Sequence, residues 1–250
     1  MFKFPRLHSL FSFPNVNFLM ILLGCLLRLK HYVENRSLWL DESWFALGIT
    51  NRSFADILSQ KILFPEVPRS PLPFELSVKT LTVLFGSSEM IFRLLPLLAS
   101  ILALVLFFLL FRKKLSAAPL TFCLILLSIN PSLIDYAAEA KSYSTDLLMS
   151  ILLLSLYFHL KDRRWTRRDY LLSSFFGAIG PWFSFILIYL LPGLALIWII
   201  DASLKKDWKQ LLRLGGVIGA WLISFLILYI ICLKPMASSQ ALANIWVNSF

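Results

Sequence analysis

Residues 90–111, "MIFRLLPLLASILALVLFFLLF", carry a single charged side chain, Arg93. A run of this length and apolarity fits the ~30 Å hydrocarbon core of a bilayer as one helix. Lipid offers no partner for free N–H and C=O groups, so a continuous apolar run must satisfy its own backbone, which a helix does. Six further stretches of the same kind recur, near 13–31, 116–133, 142–160, 169–182, 183–201 and 212–233. The expected fold class is therefore an all-α polytopic membrane protein with about seven transmembrane helices. Composition agrees: 58% of the 250 residues are hydrophobic and 15% are charged, against about 25% charged in soluble domains. Cys25, Cys123 and Cys232 all fall inside apolar runs and read as small buried residues, with neither a disulfide framework nor a metal cluster in view.

The stretch 169–201 is too long for one pass, since its 33 residues at about 1.5 Å each would span roughly 50 Å. Gly180-Pro181 offers a break, and a tight hairpin is expected there. Alternate span ends then face opposite sides. One side collects Lys3, Arg6, Arg112, Lys113, Lys114, Lys161, Arg163, Arg164, Arg167, Arg168, Lys205, Lys206, Lys209 and Arg213, fourteen of the 24 basic residues. The positive-inside rule makes that side cytoplasmic and the N-terminus with it. Much of the net charge of +10 thus sets topology, and nucleic acid is not an expected partner. The other side receives loop 32–89, the turn near 134–141 and the tail 234–250, and ten of the 14 acids lie there or at the ends of spans opening there.

Loop 32–89 is too apolar to be disordered. Ser53-Phe-Ala-Asp56 resembles a capping box that opens a short helix. Phe74, Val78, Leu81 and Phe85 follow helical spacing between prolines and Gly86, which predicts an amphipathic helix along the membrane surface. Alternation from Leu72 to Val78 also fits a strand. A third short helix is expected to begin at Asp41.

Two polar stretches stand out on this outer side. In "SLWLDESWFAL", residues 37–47, Asp41 and Glu42 are set among tryptophans. One reading makes Asp41 a helix cap and the tryptophans interfacial anchors; the other makes the carboxylates functional. In "IDYAAEAKSYSTDLL", residues 134–148, Asp135, Glu139, Tyr143 and Asp146 would share one helical stripe. Charges at such depth are functional suspects unless paired, and the plainer alternative is a local ion pair of Lys141 with Glu139 or Asp135. Parity opens both stretches onto the same external surface. A site there would combine carboxylates able to accept a hydroxyl proton with cations for an anionic headgroup, Arg93 and Arg69 being further basic candidates. Neither a Gly-rich phosphate loop nor HExxH or GxSxG motifs occur.

At these residues the chain resembles the bacterial branch of the GT-C membrane glycosyltransferases, which includes protein O-mannosyltransferases and lipid A aminoarabinose transferases. Four stretches carry the likeness in order: "SLWLDESWFALGI", "RSPLPFELSVKTLTVLFGSSEMIFRLLPLLASILAL", "YAAEAKSYSTDLL" and "NIWVNSF". The resemblance implies a cell-envelope enzyme of the bacterial plasma (inner) membrane, with its site on the external or periplasmic face. It would be an inverting transferase that moves a sugar from a polyprenyl-phosphate carrier to an acceptor of unknown identity. Asp41 would be the general base, Glu42 would help orient the acceptor or assist the base, and Glu139, Lys141 and Tyr143 would lie near the donor phosphate. Many members have Arg where Lys141 stands, and lysine lacks the bidentate fork. Some relatives use a divalent metal, a cofactor this sequence does not specify. Residues 1–233 correspond to the catalytic membrane module with its loop 32–89, and 234–250 to the start of an external segment. Family members usually continue about as far again, so residues 1–250 alone are expected to insert with little transferase activity.

Two other functions compete. A non-catalytic binder or flippase-like protein would hold a lipid-linked sugar without transferring it. A secondary transporter would carry its acids near the midplane on broken helices with internal repeats, whereas these acids sit at one face and no repeat is visible.

Overall fold

The apolar runs form helices in the computed structural model, which describes residues 13–60, 69–161 and 163–237. In chain order they are α1 (Phe13–Val33), α2 (Leu40–Asn51), α3 (Phe54–Leu58), α4 (Leu72–Phe85), α5 (Glu89–Phe111), α6 (Ala117–Ile129) and α7 (Pro131–Asp135). A 3₁₀ turn, Tyr136–Ala138, leads to α8 (Tyr143–Leu160), α9 (Arg167–Phe183), α10 (Leu187–Leu204) and α11 (Trp208–Leu228). A π-helical turn, Tyr229–Leu233, and α12 (Lys234–Ala237) close the described chain. Lys3, Arg6, the stretch 61–68 and "NIWVNSF" lie outside the described residues.

The protein is an all-α, multi-pass membrane protein. Five helices, α1, α5, α8, α10 and α11 with its π turn, are long and apolar enough to cross a bilayer, and α6 with α7 makes a sixth as one bent span. The seventh expected span, 169–182, does not reach that standard. Helix α9 opens with Arg167, Arg168 and Asp169, and the remaining residues 170–183 cover only roughly 21 Å. It is nevertheless a helix separate from α10. The break falls at 184–186 instead of at Gly180-Pro181, and Pro181 stays inside α9.

The span expected at 116–133 is broken, and the cause is local. Pro131 has no N–H to give to the carbonyl of Leu127, and the residue before a proline is pushed to extended geometry. Asn130 obeys, with φ −62° and ψ 120°, and its side chain accepts the Leu133 N–H to start α7. The two segments meet at 58°. Arg28, fully buried on α1, takes up what the break releases. Its Nη2 donates to the Leu127 carbonyl at 2.8 Å and its Nη1 to that of Ser128 at 3.4 Å. Its Nε donates to Ser100 Oγ on α5 at 2.7 Å. The three helices can close on this side chain because Gly24 has no Cβ; one built there would stand 2.7 Å from Leu104 and 3.0 Å from the Ser128 backbone.

Loop 32–89 folds as expected in outline among its described residues. The Ser53–Asp56 capping box is present, with the Asp56 N–H donating to Ser53 Oγ at 3.1 Å and the Ser53 N–H to Asp56 at 3.0 Å. Residues 72–85 are helical throughout, so the strand alternative falls. The buried face runs through Phe74, Val78 and Thr82; Phe85 points outward, 65% exposed. Helices α2, α3 and α4 bury Phe45, Ile49, Ile57, Phe74 and Val78 together with Phe92 of α5 and Ala140. Each large apolar side chain so buried contributes about 1.5–3 kcal/mol. This cap therefore has its own core and sits on the N-terminal end of α5.

At the basic end, Lys114 lies over the Phe158 ring and Arg213 over that of Tyr170. At the opposite end the Tyr32 hydroxyl donates to the Met90 carbonyl at 2.9 Å, and Ser184 Oγ donates to Asp146 at 2.5 Å.

Candidate active site

Helix α2 starts at Leu40 with Trp39 in the N-cap position. Asp41 is thus inside the first turn and is not the cap. Acids are favoured there by the helix dipole, and both Asp41 and Glu42 use it while projecting in different directions. Glu42 points inward and is completely buried. Its carboxylate accepts from Arg93 Nε at 2.9 Å and Nη2 at 2.8 Å, from the Ala140 N–H at 2.8 Å and from the Trp39 N–H at 3.3 Å. Arg93, 1% exposed, spends Nη1 on the Arg36 carbonyl.

Two sequence-based roles change as a result. Glu42 has no exposed surface from which to meet an acceptor, and Arg93, 1% exposed, directs Nε, Nη1 and Nη2 to Glu42 and to the Arg36 and Ser37 carbonyls instead of to a phosphate. Together they form a bidentate buried pair that fastens α2, α5 and the 139–141 segment to one another. Burial pushes the Glu42 carboxyl upward, but hydrogen bonds from Arg93 and Ala140 and the Arg93 charge outweigh it and hold it below the ordinary carboxylate range.

On this base sits the second polar stretch. The chain from Asp135 to Asp146 is not one helix: α7 ends at Asp135, Glu139 is extended (φ −119°, ψ 132°), and α8 begins at Tyr143. The expected stripe of Asp135, Glu139, Tyr143 and Asp146 therefore does not form. The local ion-pair alternative fails as well, because Lys141 Nζ pairs with Asp41 at 3.2 Å, one hundred residues away in sequence. Asp135 instead faces His31 at 3.3 Å, and Asp146 is engaged by Ser184.

The site that results has a floor and a rim. Lys141 and Glu139 are nearly buried, at 8% and 6% exposure. The Asp41 side chain is 40% exposed, the most accessible carboxylate of the group. Burial, and then the nearby Glu42 charge, push the Glu139 carboxyl up, opposed by the cations of Arg36 and Lys141 and a bond from Trp39. Tyr143 stands at the rim, its ring 4.6 Å from that of Tyr136. Arg36, whose side chain is 41% exposed and lies 3.8 Å from Glu42, is a rim cation that the sequence reading passed over. It precedes α2 in an irregular segment with no periodicity to mark it.

Arg69 belongs elsewhere. It donates to the side-chain and backbone oxygens of Gln60, beside the buried pair of Arg52 and Glu75 at 2.8 Å. Among the described residues no three His, Cys, Asp or Glu side chains are grouped to hold a metal ion.

No family model, curated protein or solved structure matches this chain.

Proposed function

We propose that the chain is an inverting glycosyltransferase of the GT-C type, with seven spans including the short α9. It moves a sugar from a polyprenyl-phosphate donor to an acceptor hydroxyl at the non-cytoplasmic face. The observation that carries this reading is the Asp41–Lys141 pair at 3.2 Å, an accessible carboxylate held beside a nearly buried cation at the outer end of a membrane bundle. In the proposed reaction, an acceptor oxygen bonds to the anomeric carbon as the bond from that carbon to the phosphate oxygen breaks. The hydroxyl proton passes to Asp41, and the polyprenyl phosphate leaves with its charge opposed by Lys141 and Arg36. Proton transfer to a positioned base contributes typically 10²- to 10⁴-fold in rate. Glu42 and Arg93 act through position, by fixing the turn that carries Asp41. The positive-inside rule supports the sidedness, since the basic residues cluster at the opposite end.

The test is donor capture. A polyprenyl-phosphate-linked sugar should be found by mass spectrometry with the protein purified from native membranes, and Lys141→Ala should deplete it severalfold. Donor retained without any transfer would favour the non-catalytic binder. No donor in either preparation would count against both readings.

A further inference from the structure

We propose that the groove between the N-terminal half of α9 and α11 binds an anionic phospholipid, with the headgroup phosphate on Arg167 and Arg213. The groove has a volume of about 550 Å³ and is walled by Tyr170, Leu171, Gly216 and Val217 below those two arginines. It lies at the basic end of the bundle, far from Asp41, and the argument is independent of the glycosyltransferase reading.

The electrostatics call for an anion. Arg167 and Arg168 occupy the first turn of α9, where the helix dipole disfavours cations. The acid of that turn, Asp169, is 4% exposed and already taken. It accepts from Arg163 at 2.7 Å, from the Thr166 N–H at 2.7 Å and from Thr166 Oγ1 at 2.9 Å. Among the described residues neither Arg167 nor Arg213 has an acidic partner. Arg213 lies over the Tyr170 ring at 5.6 Å, an arrangement that engages the guanidinium face and leaves its N–H edge for a phosphate.

The shape calls for a lipid. Gly216 of α11 lines the groove, and a Cβ there would meet nothing within 4 Å. A glycine inside a helix costs about 1 kcal/mol of propensity relative to alanine, and no packing neighbour requires the small residue at 216. Leu171 is 60% exposed beside this channel. A free phosphate would satisfy the arginines and leave the apolar wall empty, whereas a phospholipid fills both. Basic pockets between spans are the usual place for anionic headgroups on the cytoplasmic leaflet.

The experiment uses the full chain in neutral detergent, with native mass spectrometry after exposure to phosphatidylglycerol, phosphatidylcholine or inorganic phosphate. Phosphatidylglycerol should be retained in preference to the other two. Arg167→Gln with Arg213→Gln should weaken its retention about 30-fold, the effect of two basic contacts at a membrane surface. Lys113→Gln with Lys206→Gln, which removes equal charge outside the groove, should leave it unchanged. Gly216→Leu should fill the groove and reduce retention with every charge kept. Equal loss in the Lys113/Lys206 variant, equal retention of phosphatidylcholine, or displacement by inorganic phosphate would overturn the proposal. So would full retention by a Gly216→Leu protein. If Gly216→Leu lowers the lipid-free unfolding temperature, the comparison of the arginine and lysine pairs decides alone.

Discussion

Glu42 and Asp41 are adjacent in sequence and opposite in circumstance, fully buried against 40% side-chain exposure. The pair Glu42–Arg93 makes a pH prediction with a definite sign. The folded carboxyl of Glu42 is held below its ordinary value of 4.5. Its stabilising contribution is therefore present above about pH 4.5 and is lost as pH falls through the lower folded value. Glu139 runs the other way. Its carboxyl is raised above 4.5, so its contribution is favourable at low pH and is lost as pH rises through the raised value. Thermal unfolding in detergent should show Glu42→Gln destabilised by about 3–5 kcal/mol near neutral pH, the cost of leaving Arg93 buried without its partner. The same variant should lack part of the wild-type acid limb, and Glu139→Gln should flatten the profile just above pH 4.5. Equal pH profiles for wild type and Glu42→Gln would refute the assignment.

Among the elements, the bent span α6–α7 is the one that delivers residues 139–141 to α2, and Arg28 holds its break. Arg28→Leu should cost about 1–3 kcal/mol for each carbonyl left without a donor, and Arg28→Lys should rescue little, because one ammonium cannot replace the fork that reaches Ser100, Leu127 and Ser128. Stability of Arg28→Lys at the wild-type level would show that the break supports itself. This element also marks how far the sequence could be read. Apolar length was enough for the long helices, the Ser-x-x-Asp pattern for the box at 53–56 and helical spacing for the helix at 72–85, since each depends on neighbours within a turn or two. Parity was enough to bring residues 41 and 141 to one side. The inward turn of Glu42, the use of both Arg93 edges and the extended Glu139 were not legible, because each depends on contacts between residues 50 to 100 positions apart. Pro131 was a visible signal for the bend, but hydropathy over 116–133 concealed it.

For the whole molecule, the division between a basic end and a carboxylate-bearing end makes a topological prediction. In a background without Cys25, Cys123 and Cys232, Ser59→Cys should react with an impermeant thiol reagent in intact cells, and Lys113→Cys and Arg164→Cys should be protected. The reverse pattern would put Asp41 on the cytoplasmic side and separate it from an externally facing donor lipid. The central claim is that this end of the bundle transfers a sugar with Asp41 as base. Its most direct test is the rate of sugar transfer from a polyprenyl-phosphate donor in native membranes carrying a transfer-active form that contains residues 1–250, with Asp41 or with Asp41→Asn. Asparagine keeps the shape and gives up the proton acceptor, so the account predicts a loss of roughly 100- to 10,000-fold with donor retention and insertion intact. Transfer by Asp41→Asn at the wild-type rate would contradict it.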